Sequence, residues 1–406
     1  MQSTCKIVAA DFDFIVIGGG STGASISYYL SGLNGKILML ERGGIAGGNT
    51  GKSSALIRTH YSNDLIASMA KYSYKVISDF DAIGFSGFHK TGMIFPFSRS
   101  EEELARKNAA MLRDLGLEEE EMHPKEIEKY FPGISLSDFD YVLSEPWSGY
   151  ADPVAVTNSF IQAAQSRGVS VKTGTNVSSV ESNGDIVTVN AGNGKKFTAK
   201  KVILATNVWT NMLLSDSGIP KERLLPIGAS LHSVIYLKRP ASLRGIKPVL
   251  WDPPNLAYYK MEGDSLCAVG SLDPAIDKKM VDIGKPIPEE AGYDYIEDYM
   301  SRLVSRIPKM GESTIVSSIN GLYDMTPDGQ AIISPLDYLG LEGVYVCAGL
   351  SGHGFKLSPA YGLITSEMVS GINPEKASFD WRTFSPHRFA EGKPIKSKFE
   401  EIGTMY

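Results

Sequence analysis

The stretch FDFIVIGGGSTGASISYYL, residues 12 to 30, decides the fold of this chain of 406 residues. An apolar run leads into the spacing Gly18-x-Gly20-x-x-Gly23, and a helical pattern follows that closes on Gly32. The apolar run predicts a buried strand, and the segment after the glycines predicts an amphipathic helix. A second buried strand, KILMLE at 36–41, completes a β-α-β unit.

In this context the glycine spacing predicts a turn that binds a dinucleotide. The first glycine permits a tight reversal, the second lets backbone amides approach a pyrophosphate, and the third lets helix and strand pack closely. Glu41 closes the second strand, near the position where an acid accepts hydrogen bonds from ribose hydroxyls, and an acid there disfavours NADP. The Gly- and Ser-rich segment 41–58 and a further strand and turn at 202–209 favour FAD over NAD, because they can surround a larger ligand.

Composition excludes several classes of function. The net charge of −6, without a basic stripe, excludes a nucleic-acid partner. The uncharged stretch 14–35 contains six glycines, so we interpret it as strand, turn and helix and expect no membrane span. The apolar run at 7–10 is too short for a signal peptide and favours the cytoplasm. Cys5, Cys267 and Cys347 are widely spaced, which predicts unpaired thiols and no metal site.

The remaining elements predict an α/β (α+β) protein in which two domains interleave. Charged residues at 101–121 predict a surface helix whose acidic run 118–121 is solvated. Asp152 and Pro153 predict a helix start, Asn183-Gly184 a hairpin turn, and 293–306 another helix. We expect a Rossmann-like FAD domain of the glutathione-reductase type, made of residues 10–90, 150–220 and 319–390. A substrate domain on a mixed or antiparallel sheet is expected at 91–149 and 221–318. Residues 391–406 are expected to form a tail.

Five motifs in order resemble the FAD-dependent amino-acid oxidoreductase superfamily that includes D-amino-acid oxidase. They are GGGSTG (18–23), LERG (40–43), VILATNVW (202–209), LYDMTPDG (322–329) and GLSGHGFKLSPAYG (349–362). The resemblance is strongest to the glycine oxidase and sarcosine oxidase branch, together with dye-linked proline dehydrogenases and the β subunit of heterotetrameric sarcosine oxidase. It covers nearly the whole chain and implies a bound FAD, roofed by the sheet of the substrate domain.

The resemblance also implies which residues hold the cofactor. They are Gly18, Gly20, Ser21, Thr22, Gly23, Glu41 and Arg42 for the ADP half, Lys52, Ser53 and Ser54 along the pyrophosphate and flavin edge, Val177 near the adenine, Ala205 and Trp209 near the pyrophosphate, and Gly349, Gly352, His353, Gly354, Phe355 and Lys356 at the pyrimidine end of the flavin.

Arg58 and Lys356 match the two positions at which sarcosine oxidase-like enzymes grip the substrate carboxylate. Two cations at a buried site favour the neutral amine that donates hydride to flavin N5, so no general base is expected. His353 is expected to make a polar or cationic contact with the flavin, or else to cap the following helix. Tyr323 and either Tyr258 or Tyr259 match wall positions, and we assign Tyr259.

Three departures from the family pattern bear on the cofactor and on its reoxidation. Gly321 stands where monomeric sarcosine oxidase carries its flavin-linking cysteine, and Lys52 stands near the flavin-linking histidine of other members, so non-covalent FAD is expected. Ala268 stands where sarcosine oxidase supplies an oxygen-activating lysine. Slow reaction with oxygen is therefore expected, with a quinone, dye or partner subunit as a possible electron acceptor in its place.

These features together predict oxidation of a small or secondary amino acid, such as sarcosine, glycine or a proline-like compound, to an imine that water hydrolyses. Two alternatives stay open. One is a flavin dehydrogenase of a 2-hydroxy acid or of glycerol 3-phosphate, and the other is an FAD-carrying subunit of a hetero-oligomeric amine dehydrogenase. Homo-oligomers or hetero-oligomers are compatible with the sequence.

Overall fold

The computed structural model describes residues 10–192 and 194–398. Cys5, most of the apolar run at 7–10 and residues 399–406 of the expected tail lie outside the described residues. The described helices are α1 (Ser21–Leu30), α2 (Asp64–Ser78), α3 (Glu102–Asp114), α4 (Pro153–Ser166), α5 (Thr210–Asp216), α6 (Pro274–Asp277), α7 (Tyr293–Arg306), α8 (Ser358–Val369) and α9 (His387–Ala390).

The strands are β1 (Phe12–Ile17), β2 (Ile37–Leu40), β3 (Leu56–Ile57), β4 (His89–Lys90), β5 (Met93–Phe97), β6 (Glu120–Met122), β7 (Tyr141–Glu145), β8 (Gly149–Tyr150), β9 (Ser170–Lys172), β10 (Val177–Ser182), β11 (Val187–Ala191), β12 (Lys196–Leu204), β13 (Gly228–Lys238), β14 (Val249–Asp252), β15 (Ala257–Glu262), β16 (Leu266–Ser271), β17 (Thr314–Met325), β18 (Ile332–Pro335) and β19 (Val344–Ala348).

A first sheet, the cofactor sheet, carries the predicted β-α-β unit. Its strand order is β10-β11-β12-β1-β2-β9, with β19 beside β12 and β18 beside β19. The neighbours β9, β2, β1, β12 and β19 run parallel. On β1, Val16 packs toward α1, α4 and α8, whereas Ile15 and Ile17 pack toward the hairpin β10–β11. Both faces are therefore covered, which is why the strand is apolar from Phe14 to Ile17.

A second sheet, the roof sheet, has the order β17-β13-β16-β15-β14-β5-β7-β6. Its neighbours are antiparallel except for β14 and β5, which run parallel. One face packs on α7 and the other on α3. The predicted fold class, an α/β (α+β) chain with a Rossmann-like sheet and a second mixed sheet, is confirmed. A short sheet β3-β8-β4 adjoins both.

Several local predictions are confirmed and three are corrected. Asp152 caps α4 by accepting from the amides of Val154 and Ala155. Helix α1 is buried on nearly all sides rather than amphipathic, because α4 and α8 both pack against it. The predicted helix at 101–121 ends at Asp114, and its last residues form β6. Within the acidic run, Glu119 is buried, so that run is not uniformly solvated.

The expected domain ranges stay a prediction; β17 crosses the expected boundary at residue 319 and belongs wholly to the roof sheet. In the expected tail, the amide of Lys398 donates to the carbonyl of Ser62, and that of Ile395 donates to Asp328. Within the described ranges, no helix is long and apolar enough to cross a membrane.

The contact between α1 and α8 generates a stability prediction. A Cβ added at Gly362 would lie 2.1 Å from the Ser25 hydroxyl and 2.8 Å from the Ser25 carbonyl carbon. Gly362→Ala should therefore lower the free energy of unfolding by about 1–2 kcal/mol, although alanine favours a helix. Urea unfolding measures this loss. Gly311→Ala is the matched control, because its Cβ would meet Val304 at an ordinary 3.7 Å; equal stability of the two variants would contradict the packing argument.

Candidate active site

A cavity of about 400 Å³ lies between the carboxyl end of the cofactor sheet and the roof sheet. Most of the predicted cofactor residues line it, namely Gly18, Gly20, Ser21, Thr22, Glu41, Arg42, Lys52, Ser53, Ser54, Val177, Ala205, Trp209, Gly352, Gly354 and Phe355. Gly23 and Gly349 lie behind its wall, and His353 and Lys356 line an adjoining cavity.

The glycine turn has no room for side chains, because two backbone segments pass each other there in close contact. Gly18 has a φ of +117°, and a Cβ on it would lie 2.2 Å from the carbonyl oxygen of Ala205, at the end of β12. A Cβ on Gly23 would lie 1.9 Å from the carbonyl oxygen of Gly18. The first and third glycines therefore serve the packing of strand and helix, whereas Gly20 faces the cavity.

Glu41 braces this turn from the end of β2. One carboxylate oxygen accepts from the amide of Gly19 at 2.6 Å, and the other accepts from the amide of Gly43 at 2.7 Å. Across the cavity mouth, the Arg42 guanidinium lies 3.7 Å from the centre of the Trp209 ring. An acid, a cation and a cluster of glycines thus meet at one end of the cavity, as an adenosine diphosphate group requires.

The other end of this cavity suits a flavin ring that is not bonded to the protein. Gly321 and Lys52 both line it, where covalent relatives were expected to carry cysteine or histidine. Cys347, which the sequence did not single out, also lines it. Burial raises the pKa of the Cys347 thiol to about 12, so it is a weak nucleophile at neutral pH. The donor set fits FAD held without a covalent link.

Asp324 is a further wall residue that sequence analysis missed. Its carboxylate is buried and accepts from the amide of Gly349 at 2.6 Å, and its carbonyl accepts from the amide of Ser351. Burial raises the pKa of this carboxyl to about 7. Asp324 therefore fixes the start of the glycine loop 349–354. The sequence around Asp324 has no periodic pattern that would have identified it as a buried acid.

A smaller cavity of about 100 Å³ opens beside the first and shares Ser53, Ser54, His232, Tyr323, Gly352 and Phe355 with it. It also brings Arg58 together with His353 and Lys356, which lie about 300 residues later in the sequence. None of the described residues that line it is Asp or Glu. This cavity therefore offers positive charge to a ligand that lies next to the cofactor.

Arg58 is held rigidly for a side chain that lines a cavity. It is 2 % exposed, and its guanidinium lies 4.2 Å from the ring centre of Tyr61 and 4.6 Å from that of Trp251. One amino group donates to the carbonyl of His60, while Nε has no hydrogen-bond partner within the described residues. A planar cation between two rings, with donors to spare, is suited to a carboxylate.

Lys356 is partly buried, and among the described residues its Nζ contacts only the Gly352 carbonyl, at 3.5 Å. Burial, followed by the neighbouring Arg58 cation, holds the pKa of Lys356 well below its usual range. Burial also holds the pKa of His353 well below its usual range, with both cations adding to the effect. The lowered pKa favours the neutral imidazole, and the polar or cationic contact of His353 with the flavin stays a prediction.

The side chain of His353 does not cap α8. Its Nδ1 lies 2.9 Å from the hydroxyl of Tyr61, and its Nε2 has no partner among the described residues although the residue is only 4 % exposed. Gly352 has a φ of +81°, and a Cβ on it would lie 2.8 Å from the ring of Tyr323. Glycine at this position therefore leaves room for that ring. The glycines of this loop thus make room for rings and for the cofactor.

Among the aromatic walls, one prediction is corrected. Tyr259 packs in the core under α7, where its hydroxyl accepts from Asn255, so the structure does not bring it to the cavity. Tyr258 lines the cavity and shares a hydrogen bond with Ser54. Adjacent strand residues face opposite sides of a sheet. The alternation of Ala257, Tyr259 and Met261 with more polar neighbours was a signal that could have told them apart.

His232 and Trp251 were missed altogether. His232 stands on β13 opposite Gly321, stacks on Tyr323 with ring centres 3.7 Å apart, and lines both cavities. Its Nε2 lies 2.9 Å from the hydroxyl of Ser230. Both residues lie on strands of the roof sheet, and the sequence does not show which face of that sheet covers a ligand.

Behind Arg58, a buried polar network anchors the segment 58–61. Thr59 donates through its amide and hydroxyl to Glu145, which is fully buried. The amide nitrogen of Asn108 donates to Nε2 of His60, so Nδ1 donates to Glu119 at 2.5 Å. Burial raises the pKa of Glu145, and the Glu119 carboxylate raises it further. The network fixes the carbonyl that receives Arg58.

The comparisons with known proteins agree with this geometry. Residues 13–368 match the model of the DAO family, described as FAD dependent oxidoreductase. The chain is 25 % identical over 402 residues to the sarcosine oxidase subunit beta of Rhodobacter capsulatus, covering 95 % of this chain and 90 % of that protein. It is 26 % identical over 408 residues to a probable sarcosine oxidase of Arabidopsis thaliana, covering 95 % of each.

Solved structures share the fold. L-proline dehydrogenase from P. horikoshii superposes with a TM-score of 0.83 at 23 % identity, over 95 % of this chain and 100 % of that one. Glycine oxidase from Geobacillus kaustophilus superposes with a TM-score of 0.79 at 17 % identity, over 94 % and 99 %. With the family model matched over most of its length, this chain belongs to the DAO family of FAD-dependent oxidoreductases and is an FAD-dependent enzyme close to the sarcosine and amino-acid oxidases.

Proposed function

We propose that this enzyme oxidises the C–N bond of a small or secondary amino acid to an imine, which water then hydrolyses. The observation that carries the proposal is the meeting of Arg58 and Lys356 in one small cavity that adjoins the FAD cavity and has no described acidic wall. A ligand that balances the Arg58 guanidinium there, with Lys356 beside it, must carry an anion. A carboxylate matches the planar guanidinium of Arg58.

FAD, when bound, supplies the hydride acceptor. The chain's own residues bind and orient the substrate. Arg58 and Lys356 hold the carboxylate, while Tyr258, Tyr323 and Trp251 surround the carbon and nitrogen atoms of the substrate. Three rings exclude water from that position and tolerate an alkylated nitrogen better than polar walls would. With about 100 Å³ of space, the cavity favours amino acids of the size of glycine, sarcosine or proline.

A carboxylate clamp would serve a 2-hydroxy acid equally well, so this class is the second candidate. The two are separated by adding amino acids, 2-hydroxy acids and glycerol 3-phosphate to the FAD-loaded protein without oxygen and by recording the visible absorbance of the flavin. We expect bleaching by small or secondary amino acids within seconds to minutes. Bleaching by a hydroxy acid or by glycerol 3-phosphate, with none by an amino acid, would overturn the proposal.

The roof sheet supports a proposal for the electron acceptor. Ala268 shares a face of β16 with Gly270, which lies under the Tyr258 ring, and its strand partner Lys260 forms an ion pair with Glu262 at 2.9 Å. Among the described residues, this face of β15 and β16 therefore carries no lysine without an ion-pair partner. We propose a dehydrogenase that passes electrons to a quinone, to a dye or to a partner subunit. Its relative in R. capsulatus is itself named as a subunit, which supports assembly with other chains.

Reoxidation of the substrate-reduced enzyme tests this assignment. In air we expect peroxide to form at least about tenfold more slowly than an added dye is reduced, because the alanine at position 268 brings no cation to stabilise the negative charge that oxygen acquires. Ala268→Lys should raise the rate of peroxide formation, and Ala268→Leu is the uncharged control of similar bulk. Rapid turnover of the unaltered enzyme with oxygen would refute the inference.

The network behind Arg58 generates a second prediction. Glu119→Gln keeps the shape and an acceptor for His60 but removes the charge that strengthens this hydrogen bond. A loss of about 1 kcal/mol in positioning Arg58 would raise KM about fivefold. Steady-state kinetics should show this rise with kcat and the flavin content nearly unchanged. The neighbouring exposed Glu120→Gln is the control; an equal change in both variants would rule out a positioning role.

A further inference from the structure

The smaller cavity holds more positive charge than its walls balance. Arg58 and Lys356 both line it, and the other titratable side chains along it are His353, His232, Tyr258 and Tyr323. The nearest carboxylates behind Arg58, Glu145 and Glu119, accept hydrogen bonds from Thr59 and His60 and do not line the cavity. Without a ligand, one of the two cations is therefore unfavourable in its charged form.

Lys356 is the group that loses its proton. A guanidinium cannot lose its proton under these conditions, whereas a buried lysine can. Lys356 has one long contact, to the Gly352 carbonyl, and the structure shows no ion pair between it and a described acid. Burial and the Arg58 cation lower the pKa of Lys356 strongly. The ligand-free enzyme therefore presents a neutral amine at Lys356, next to the place where a carboxylate would bind.

We propose that Lys356 accepts the proton that the substrate's ammonium group must lose before oxidation, a step that rests on the proposed function. An amino acid in water carries a carboxylate and an ammonium group, and oxidation needs the lone pair of the nitrogen. When the carboxylate binds to Arg58, its charge favours the protonated form of Lys356. An N–H bond of the substrate breaks, the electron pair stays on its nitrogen, and an N–H bond forms on Nζ of Lys356.

This transfer keeps the charge of the cavity constant and produces a lysinium that pairs with the bound carboxylate. The proton is moved between two groups that the cavity already contains, so neither bulk water nor an added base has to enter. Lys356 thereby has two roles. It first accepts the proton, and then, as a cation, it holds the carboxylate. The same step explains how a cavity without an acidic wall can admit a zwitterion.

His353 is the competing acceptor, because its Nε2 lacks a partner among the described residues and the ring lines the same cavity. Both groups experience the Arg58 cation. The unperturbed pKa of lysine lies about 4 units above that of histidine, so the proton resides on Lys356 when either could take it. The Nδ1 of His353 is already engaged with Tyr61.

Calorimetry of the FAD-loaded enzyme with propionate tests the proposal, because propionate offers the carboxylate without an ammonium group. Titrations at pH 8 in buffers of different ionisation enthalpy count the protons that binding takes up. We expect uptake of about one proton per propionate, with affinity falling about tenfold per pH unit on further increase of pH. Lys356→Arg, which is permanently charged, should bind propionate with no proton uptake.

The outcomes separate this inference from the proposed function. Propionate that binds the unaltered enzyme without proton uptake overturns the role of Lys356 but leaves the carboxylate site standing. Proton uptake that persists in Lys356→Arg but disappears in His353→Asn transfers the role to His353 and also overturns the assignment. Failure of propionate to bind at millimolar concentration would refute the carboxylate clamp, and with it the proposed function.

Discussion

Everything at the active site depends on one close contact of backbone with backbone. The turn after β1 must pass the end of β12 so tightly that Gly18 and Gly23 have no room for a side chain. That contact sets the start of α1, and α1 in turn is locked against α8 through Gly362. Because α8 follows directly on the loop 349–357, the same packing places Lys356 and His353 against the second cavity. The glycine turn and the proposed carboxylate clamp are thus two ends of one packed unit.

The electrostatic arrangement of the site divides into layers. Facing the ligand are Arg58 and Lys356, with aromatic rings around them. Behind Arg58 lie the carboxylates Glu145 and Glu119, joined to its own chain segment through Thr59 and His60. The acids stabilise the segment without neutralising the cavity at contact distance, so the site keeps its attraction for an anion while the backbone stays fixed. Substitution of residues in either layer should change ligand binding more than it changes the rate of the chemical step.

Much of this could be predicted from the sequence because the signals are local. The β-α-β unit and the cap at Asp152 follow from short motifs with strict steric requirements, whereas the meeting of Arg58 and Lys356 in one cavity was expected only from the family resemblance. The rest depends on which face of a strand is covered, as for Tyr258, Tyr259 and His232, and on contacts between distant segments, as for Glu119 with His60. From the sequence, a glutamate in a run of four acidic residues is predicted to be solvated. Only the fold shows that Glu119 is buried against His60.

The parallel contact between β5 and β14 has a consequence for how the chain reaches its native state. These neighbours are separated by about 150 residues of sequence and are the point at which the two insertions become one roof sheet. The cofactor sheet has the same property, since β1 lies between β2 and the much later β12. Such topologies have high contact order, so closure of both sheets comes late in folding, after long loops have been ordered. During synthesis, the glycine turn can be braced early by Glu41, but its close contact with Ala205 waits until β12 has been made.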